Sequence, residues 1–351
     1  MSNYLLSKIK IRGLYNSFLL GYDLGQVPPP KFVVWDCTRR CNLNCKHCGA
    51  KKEVYLKELT TSQVKDLVKK ISEYKSEYFV VTGGEPLLRE DIFEIFSFAK
   101  EIGLKTGIAT NGFFVDKNNS KAISENFDSA QISLDGSLYV HNKIRGDNSS
   151  FQRAIEAVSF LQRAHCRQIT ICSVITPENF NDLNNLAKKI EELKVDIWKI
   201  TSVMPIGRVE KNDNLFLNDE QFRNLLLFIK KNKKKLRIRL GENLGHLGKD
   251  DKEYRDEPFF CPVGFLTCCI GVDGSVRGCP EQPDNQLFRE GNILENDFKE
   301  IWEKGFKKYR NKNFLEDKNC KKCIFKNDCR GGCWVMRLKS LQCSIMRYSL
   351  L

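Results

Sequence analysis

Residues 31–48 read Lys-Phe-Val-Val-Trp-Asp-Cys-Thr-Arg-Arg-Cys-Asn-Leu-Asn-Cys-Lys-His-Cys. An apolar run at 32–35, of the Val and Phe type that fills parallel sheets, passes through a polar turn into a loop bearing Cys41, Cys45 and Cys48. A strand that runs into such a loop is the first half of a βα unit, and the chain repeats that unit to about residue 240. Further strands are predicted at 78–81, 106–109, 130–134, 168–174 and 196–202. Helices fall between them at 61–74, 91–100, 151–163, 180–193 and 219–231. The first is opened by Thr60 or Thr61 as cap and carries Val64, Leu67, Val68 and Ile71 on one face. The alternation makes the protein α/β: a partial (β/α)6 TIM-like barrel over 31–245, preceded by an extension at 1–30 and followed by a small Cys-rich domain over 246–351.

With 351 residues, 41% of them hydrophobic, the chain fills a substantial core and is not disordered. The net charge of +13 suits an acidic partner without choosing among nucleic acid, peptide and a carboxylated small molecule. No run of about 18 uncharged apolar residues and no signal-peptide arrangement is present, so a soluble cytoplasmic protein without a membrane partner is expected. In that reducing compartment the 15 cysteines point to metal ligation or catalysis rather than disulfides.

Three thiols on one loop at the carboxyl end of a barrel strand, where barrels build their sites, can hold three irons of a 4Fe-4S cluster and leave the fourth open. A structural zinc would need a fourth ligand. His47 is adjacent to Cys48 in sequence, which makes joint tetrahedral ligation awkward.

Cys-x3-Cys-x2-Cys after a first barrel strand resembles the radical S-adenosylmethionine enzymes, in which the open iron chelates the amino and carboxylate groups of that cosubstrate. His47 takes the place of the usual aromatic residue lying against the adenine. Further motifs follow in the family's order. Thr82-Gly83-Gly84-Glu85-Pro86 resembles the Gly-Gly-Glu-Pro segment on the methionine amino group: glycines let carbonyls approach an ammonium and Glu85 adds an acceptor. Asn111, closing the third strand, and Ser133 and Asp135, closing the fourth, lie at the same face. The resemblance makes Ser133 a ribose or carboxylate contact and either Arg145 or Arg153 the partner of the cosubstrate carboxylate. Residues 169–174 and Met204-Pro205-Ile206-Gly207-Arg208 resemble the adenine-side segments. Cys37, Cys166 and Cys172 are read as strand-packing thiols.

After about residue 240 the texture changes to Gly241, Gly245, Gly248 and a charged run ending at Pro258. Nine of the cysteines follow, with few apolar runs, a turn at Asp273-Gly274 and one helix at 297–309. Too few hydrophobes remain for an ordinary core, so metal is the expected staple. Cys261-x12-Gly274-x4-Cys279, Cys320-x2-Cys323-x5-Cys329-x3-Cys333 and Cys343 resemble the SPASM extension, which binds two auxiliary 4Fe-4S clusters. The resemblance gives one cluster Cys261, Cys279, Cys333 and either Cys268 or Cys269, and the other Cys320, Cys323, Cys329 and Cys343.

What the resemblance implies is reductive cleavage of S-adenosylmethionine to a 5'-deoxyadenosyl radical, followed by oxidation of a substrate, with electrons from a donor such as flavodoxin or ferredoxin. The favoured substrate is a ribosomal peptide or protein side chain, crosslinked or oxidised; a tetrapyrrole of the haem pathway, a small acidic substrate, is the alternative. Sulfatase-maturing relatives carry Asp beside an auxiliary Cys, whereas here Pro280-Glu281 follows Cys279, and Glu281 becomes the candidate proton acceptor. Forty residues precede Cys41, too few for a separate peptide-recognition domain. The rival from another class is a non-catalytic zinc or nucleic-acid-binding protein, suggested by the basic run from Lys230 to Arg239. That run sits at a helix end and lacks paired stacking aromatics, so nucleic acid is disfavoured as a partner.

Overall fold

The computed structural model describes residues 3–49, 56–210, 212–311, 318–338 and 343. Strands β1 (Phe32–Asp36), β2 (Tyr78–Thr82), β3 (Lys105–Thr110), β4 (Ser129–Ser133), β5 (Ile169–Ile175), β6 (Ile197–Ser202) and β7 (Ile238–Leu240) lie side by side, all parallel. Beyond β1 the sheet continues into β8 (Thr267–Ile270), β9 (Ser275–Arg277) and β10 (Gly291–Asn292), giving the order β10-β9-β8-β1-β2-β3-β4-β5-β6-β7. The helices are α1 (Asn3–Asp23), α2 (Thr61–Glu73), α3 (Ile92–Glu101), α4 (Ser120–Asn126), α5 (Leu138–Arg145), α6 (Ser150–Arg163), α7 (Pro177–Phe180), α8 (Leu183–Leu193), α9 (Asp219–Asn232), α10 (Asp251–Tyr254), α11 (Phe298–Lys304), α12 (Lys307–Arg310), α13 (Lys318–Lys322) and α14 (Lys326–Cys329). The six expected strands are present, in a partial barrel. The α2 helix opens on a reciprocal capping box of Thr60 and Gln63 and buries the four predicted apolar residues.

Strand register sorts the side chains into two faces, because successive residues point to opposite sides of a sheet. Val33, Trp35, Phe79, Val81, Ile108, Ile132, Ile171, Trp198 and Cys268 pack into the core beneath the helices. The other face carries Asp36, Ser133, Cys172, Lys199, Cys269 and Arg277. This inner face is polar, and its carboxyl end is the mouth.

Three expectations are corrected. The Cys-rich segment does not stand apart: β8 pairs in parallel with β1, Val33 opposite Cys268 and Val34 opposite Cys269. Nor does it lack a core, since Phe298, Ile301, Trp302, Phe306 and Tyr309 join the same hydrophobic cluster as the barrel strands. The helix expected at 297–309 is broken at Gly305 and Phe306, where Phe306 turns left-handed at φ 60° before α12. The extension at 1–30 holds a 21-residue helix whose Tyr15 and Phe18 pack on Phe265, with Phe18 also edge-on to Trp302. Buried Arg310 donates to the Gly264 carbonyl and faces the rings of Phe18, Tyr22 and Trp302. The Lys230–Arg239 run is laced to acidic neighbours, Lys230 to Glu253, Lys233 to Asp256 and Lys235 to Glu191, as a solvated face would be. Among the described residues no helix is long and apolar enough to cross a membrane.

Candidate active site

The loop from Cys41 to Cys48 is fixed from three sides. Asn44 N donates to the Arg145 carbonyl at 3.3 Å and Lys46 N to the Ile144 carbonyl at 3.0 Å, which docks the loop on the end of α5. Arg208 N donates to the Cys48 carbonyl at 3.1 Å, and its guanidinium to the Cys45 carbonyl at 2.7 Å. From the third side Gly84 N reaches the Thr38 carbonyl at 2.7 Å and Glu85 N the Arg40 carbonyl at 2.8 Å. The approach is so close that a Cβ on Gly84 would lie 2.1 Å from the Arg40 oxygen. Gly84→Ala is therefore expected to displace the loop and lower both bound iron and S-adenosylmethionine affinity at least tenfold, about 1.4 kcal/mol; equilibrium dialysis with wild-type affinity would contradict this.

The sulfurs meet donors suited to thiolate. Leu43 N lies 3.4 Å and Asn111 Nδ2 3.9 Å from the Cys41 sulfur, and Arg145 Nη1 lies 3.7 Å from that of Cys45. Three half-buried or buried thiols with N–H donors and a cation fit an iron-sulfur cluster. Of the predicted cosubstrate residues, Asn111 also holds Asn42, and Ser133 is half-buried on the inner face. Pro86 is buried and starts a short 3-10 turn, and Gly83 adopts φ +146° beside Thr38.

Three of these residues are engaged by the protein itself. Glu85 is sealed from solvent, and its carboxylate accepts from Thr110 Oγ1, Asn111 N and Leu87 N. Burial pushes its pKa up against those three hydrogen bonds. It braces the ends of β2 and β3. Asp135 is equally sealed, 2.9 Å from His47 Nε2, 2.7 Å from Arg145 Nε and accepting from Val174 N. Burial would raise its pKa, but Arg145 and His47 overcome this and hold it well below the usual carboxylate range. Arg145 is thereby spent on Asp135 and Cys45. Arg153 is half exposed and lies over the Phe113 ring.

The inner face brings Glu281 to this loop. A Cβ on Gly49 would lie 3.3 Å from Glu281 Oε2, and Glu281 stands within electrostatic reach of Lys199, Asp36, Arg277 and His47. Solvent reaches it through the open mouth, yet its crowding by protein raises its pKa against the pull of Lys199. Lys199, held 3.5 Å from Glu242, and Arg208 carried no sequence signal beyond membership of a strand or a segment.

Of the carboxyl-terminal cysteines, Cys261, Cys269, Cys279 and Cys333 lie in one neighbourhood, and Cys320, Cys323, Cys329 and Cys343 in another. Burial lifts the Cys261 thiol to about 12 and the Cys279 thiol well above its ordinary value; Cys333 lies within electrostatic reach of both, and Cys269 of Cys279. Cys268 is turned the other way, into the core, while Cys269 faces the inner side. Arg277, fully buried, pairs with Asp36 at 2.5 Å and leaves Nε and Nη1 without partners near the Cys269 thiol. An orphaned guanidinium beside a thiol set is what an anionic cluster would complete. Cys329, lifted to about 12 by burial, has Cys343, Cys320 and Cys323 around it.

Residues 35–190 match the radical SAM superfamily, and 261–324 match SPASM, an iron-sulfur cluster-binding domain. The chain is 28% identical over 326 residues to the AdoMet-dependent heme synthase of Oleidesulfovibrio alaskensis, covering 87% of this chain and 83% of that one. It is 29% identical over 314 residues to the mycofactocin maturase MftC of Mycolicibacterium smegmatis, covering 87% and 78%. Its fold is shared with Streptococcus suis SuiB bound to S-adenosylmethionine, at TM-score 0.74 and 15% identity over 93% of this chain and 78% of that one. It is also shared with anSMEcpe with bound AdoMet, at TM-score 0.72 and 20% identity over 92% and 95%. The chain belongs to the radical SAM superfamily and carries a SPASM domain, and it is an enzyme whose cofactors are 4Fe-4S clusters and S-adenosylmethionine.

Proposed function

We propose that the enzyme oxidises a side chain of a ribosomal peptide or protein substrate in the barrel mouth, with Glu281 as proton acceptor. Bound S-adenosylmethionine and the clusters supply a hydrogen-abstracting 5'-deoxyadenosyl radical and an acceptor for one electron, the first electron coming from a carrier such as flavodoxin or ferredoxin. Loss of a hydrogen atom and then of an electron leaves the substrate with one proton to shed. Glu281 carries this reading, because it presents a carboxylate beside Gly49, at the exit of the cysteine loop, two residues after Cys279 in the chain. The ligand sets on Cys41, Cys45 and Cys48, on Cys261, Cys269, Cys279 and Cys333, and on Cys320, Cys323, Cys329 and Cys343 belong to the same proposal, as does the division at about residue 245.

A second reading is favoured by the AdoMet-dependent heme synthases, whose length the chain largely spans. There the enzyme would remove carboxyl carbon from a tetrapyrrole side chain, a reaction that sheds carbon dioxide and an electron and gives Glu281 no proton to take. Glu281→Gln separates the two: under side-chain oxidation 5'-deoxyadenosine still forms, while oxidised peptide falls about 100-fold. Decarboxylation of iron-coproporphyrin by wild type and Glu281→Gln alike, followed by mass spectrometry, would replace the first reading with the second.

A further inference from the structure

We infer that Arg145 is a positioning residue for the iron-sulfur centre, its buried guanidinium holding a permanent positive charge against the Cys45 sulfur and so raising the reduction potential of the cluster. This rests on the reading that Cys41, Cys45 and Cys48 hold that cluster.

Arg145 ends α5, where Gly146 turns left-handed at φ 71° and the last carbonyls of the helix receive Asn44 N and Lys46 N. The same turn thus anchors the backbone of the cysteine loop and aims a side chain at its sulfur. That side chain is 8% exposed, and a buried guanidinium is costly unless its donors are placed. Here Nε is held 2.7 Å from Asp135, and Nη1 is delivered 3.7 Å from Cys45 Sγ. Asp135 cannot swing away: it is sealed from solvent and also engaged by His47 Nε2 and Val174 N. The carboxylate is shared among three partners, Arg145 Nε, His47 Nε2 and Val174 N, while Arg145 Nη1 faces the Cys45 sulfur, so the charge nearest that sulfur is positive.

Charge and N–H···S contacts are among the levers that set iron-sulfur potentials. Reduction adds an electron to an already anionic centre, so a fixed cation at a ligand sulfur stabilises the reduced state more than the oxidised one. In a water-poor site the effect is weakly screened. Arg153, half exposed and free of the sulfur, has no such leverage.

The test is an EPR-monitored redox titration of the full, anaerobically reconstituted chain, following the signal that changes on adding S-adenosylmethionine. Arg145→Gln is expected to lower the ratio of reduced to oxidised cluster at fixed potential about tenfold, or about 59 mV for one electron. Arg145→Lys, which keeps the charge, restores the ratio to within about threefold of wild type. A loaded Arg145→Gln protein titrating like wild type would overturn the inference. Should that variant not retain its iron, Arg145→Lys decides, and a tenfold drop there, with charge retained, would overturn it. A Cys41→Ala chain holding as much iron as wild type would instead remove the cluster assignment beneath it.

Discussion

Cys41→Ala is expected to abolish 5'-deoxyadenosine formation and to take about four of about twelve irons from the chain, the stoichiometry of one in three 4Fe-4S clusters. Cys41 accepts hydrogen bonds from Leu43 N and Asn111 Nδ2, and its loop is tied to α5 and to the segment after β6 by backbone contacts that do not involve the sulfur. The loop should therefore persist without its thiol while one iron loses its ligand. Cys320→Ala should remove the same number of irons with a different consequence, because Cys320 lies with Cys323 and Cys343 around Cys329 and outside the cysteine loop after β1. Uncoupled deoxyadenosine formation should survive and product formation stop. Iron, sulfide and nucleoside measured on the three proteins together check this. Full activity in both variants would refute the division of labour, and zinc in place of iron in the wild type would refute the cofactor assignment.

A comparably large contrast is expected between two neighbours. Cys269→Ala should cost about four irons, whereas Cys268→Ala should keep all of them and lose on the order of 1 kcal/mol of stability to a small core void. Cys268 is opposite Val33 and packs among apolar side chains; Cys269 is opposite Val34 and Arg277 on the polar inner face. Metal analysis with denaturant midpoints reads both effects. Iron lost from Cys268→Ala and retained by Cys269→Ala would reverse the strand's facing.

The same pair marks how far the sequence could be read. Period-two alternation says that adjacent strand cysteines face opposite ways, yet only pairing with β1 tells which faces in, and that partner lies more than 230 residues away. The six barrel strands were legible because buried parallel strands are short apolar runs, and the cysteine spacings because ligation constrains them. Gly305 was a readable break in the helix at 297–309. α1 was not legible: its Leu14 and Leu20 are exposed, and Tyr15 and Phe18 find their partners in Phe265 and Trp302, far along the chain. Nor did any pattern announce that Asp135 would bind His47 and Arg145, or that Glu85 would turn inward, since both depend on which loops meet at the mouth.

The ladder between β1 and β8 has an architectural consequence. A barrel cut off after β7 would present Phe32, Val33, Val34 and Trp35 along an open edge, stripped of the hydrogen bonds now shared with Thr267, Cys268, Cys269 and Ile270. Bare hydrophobic edges recruit other strands and aggregate. The carboxyl-terminal segment is thus a seal on the catalytic half, and transplanting it between relatives means matching a strand register as well as a set of cysteines.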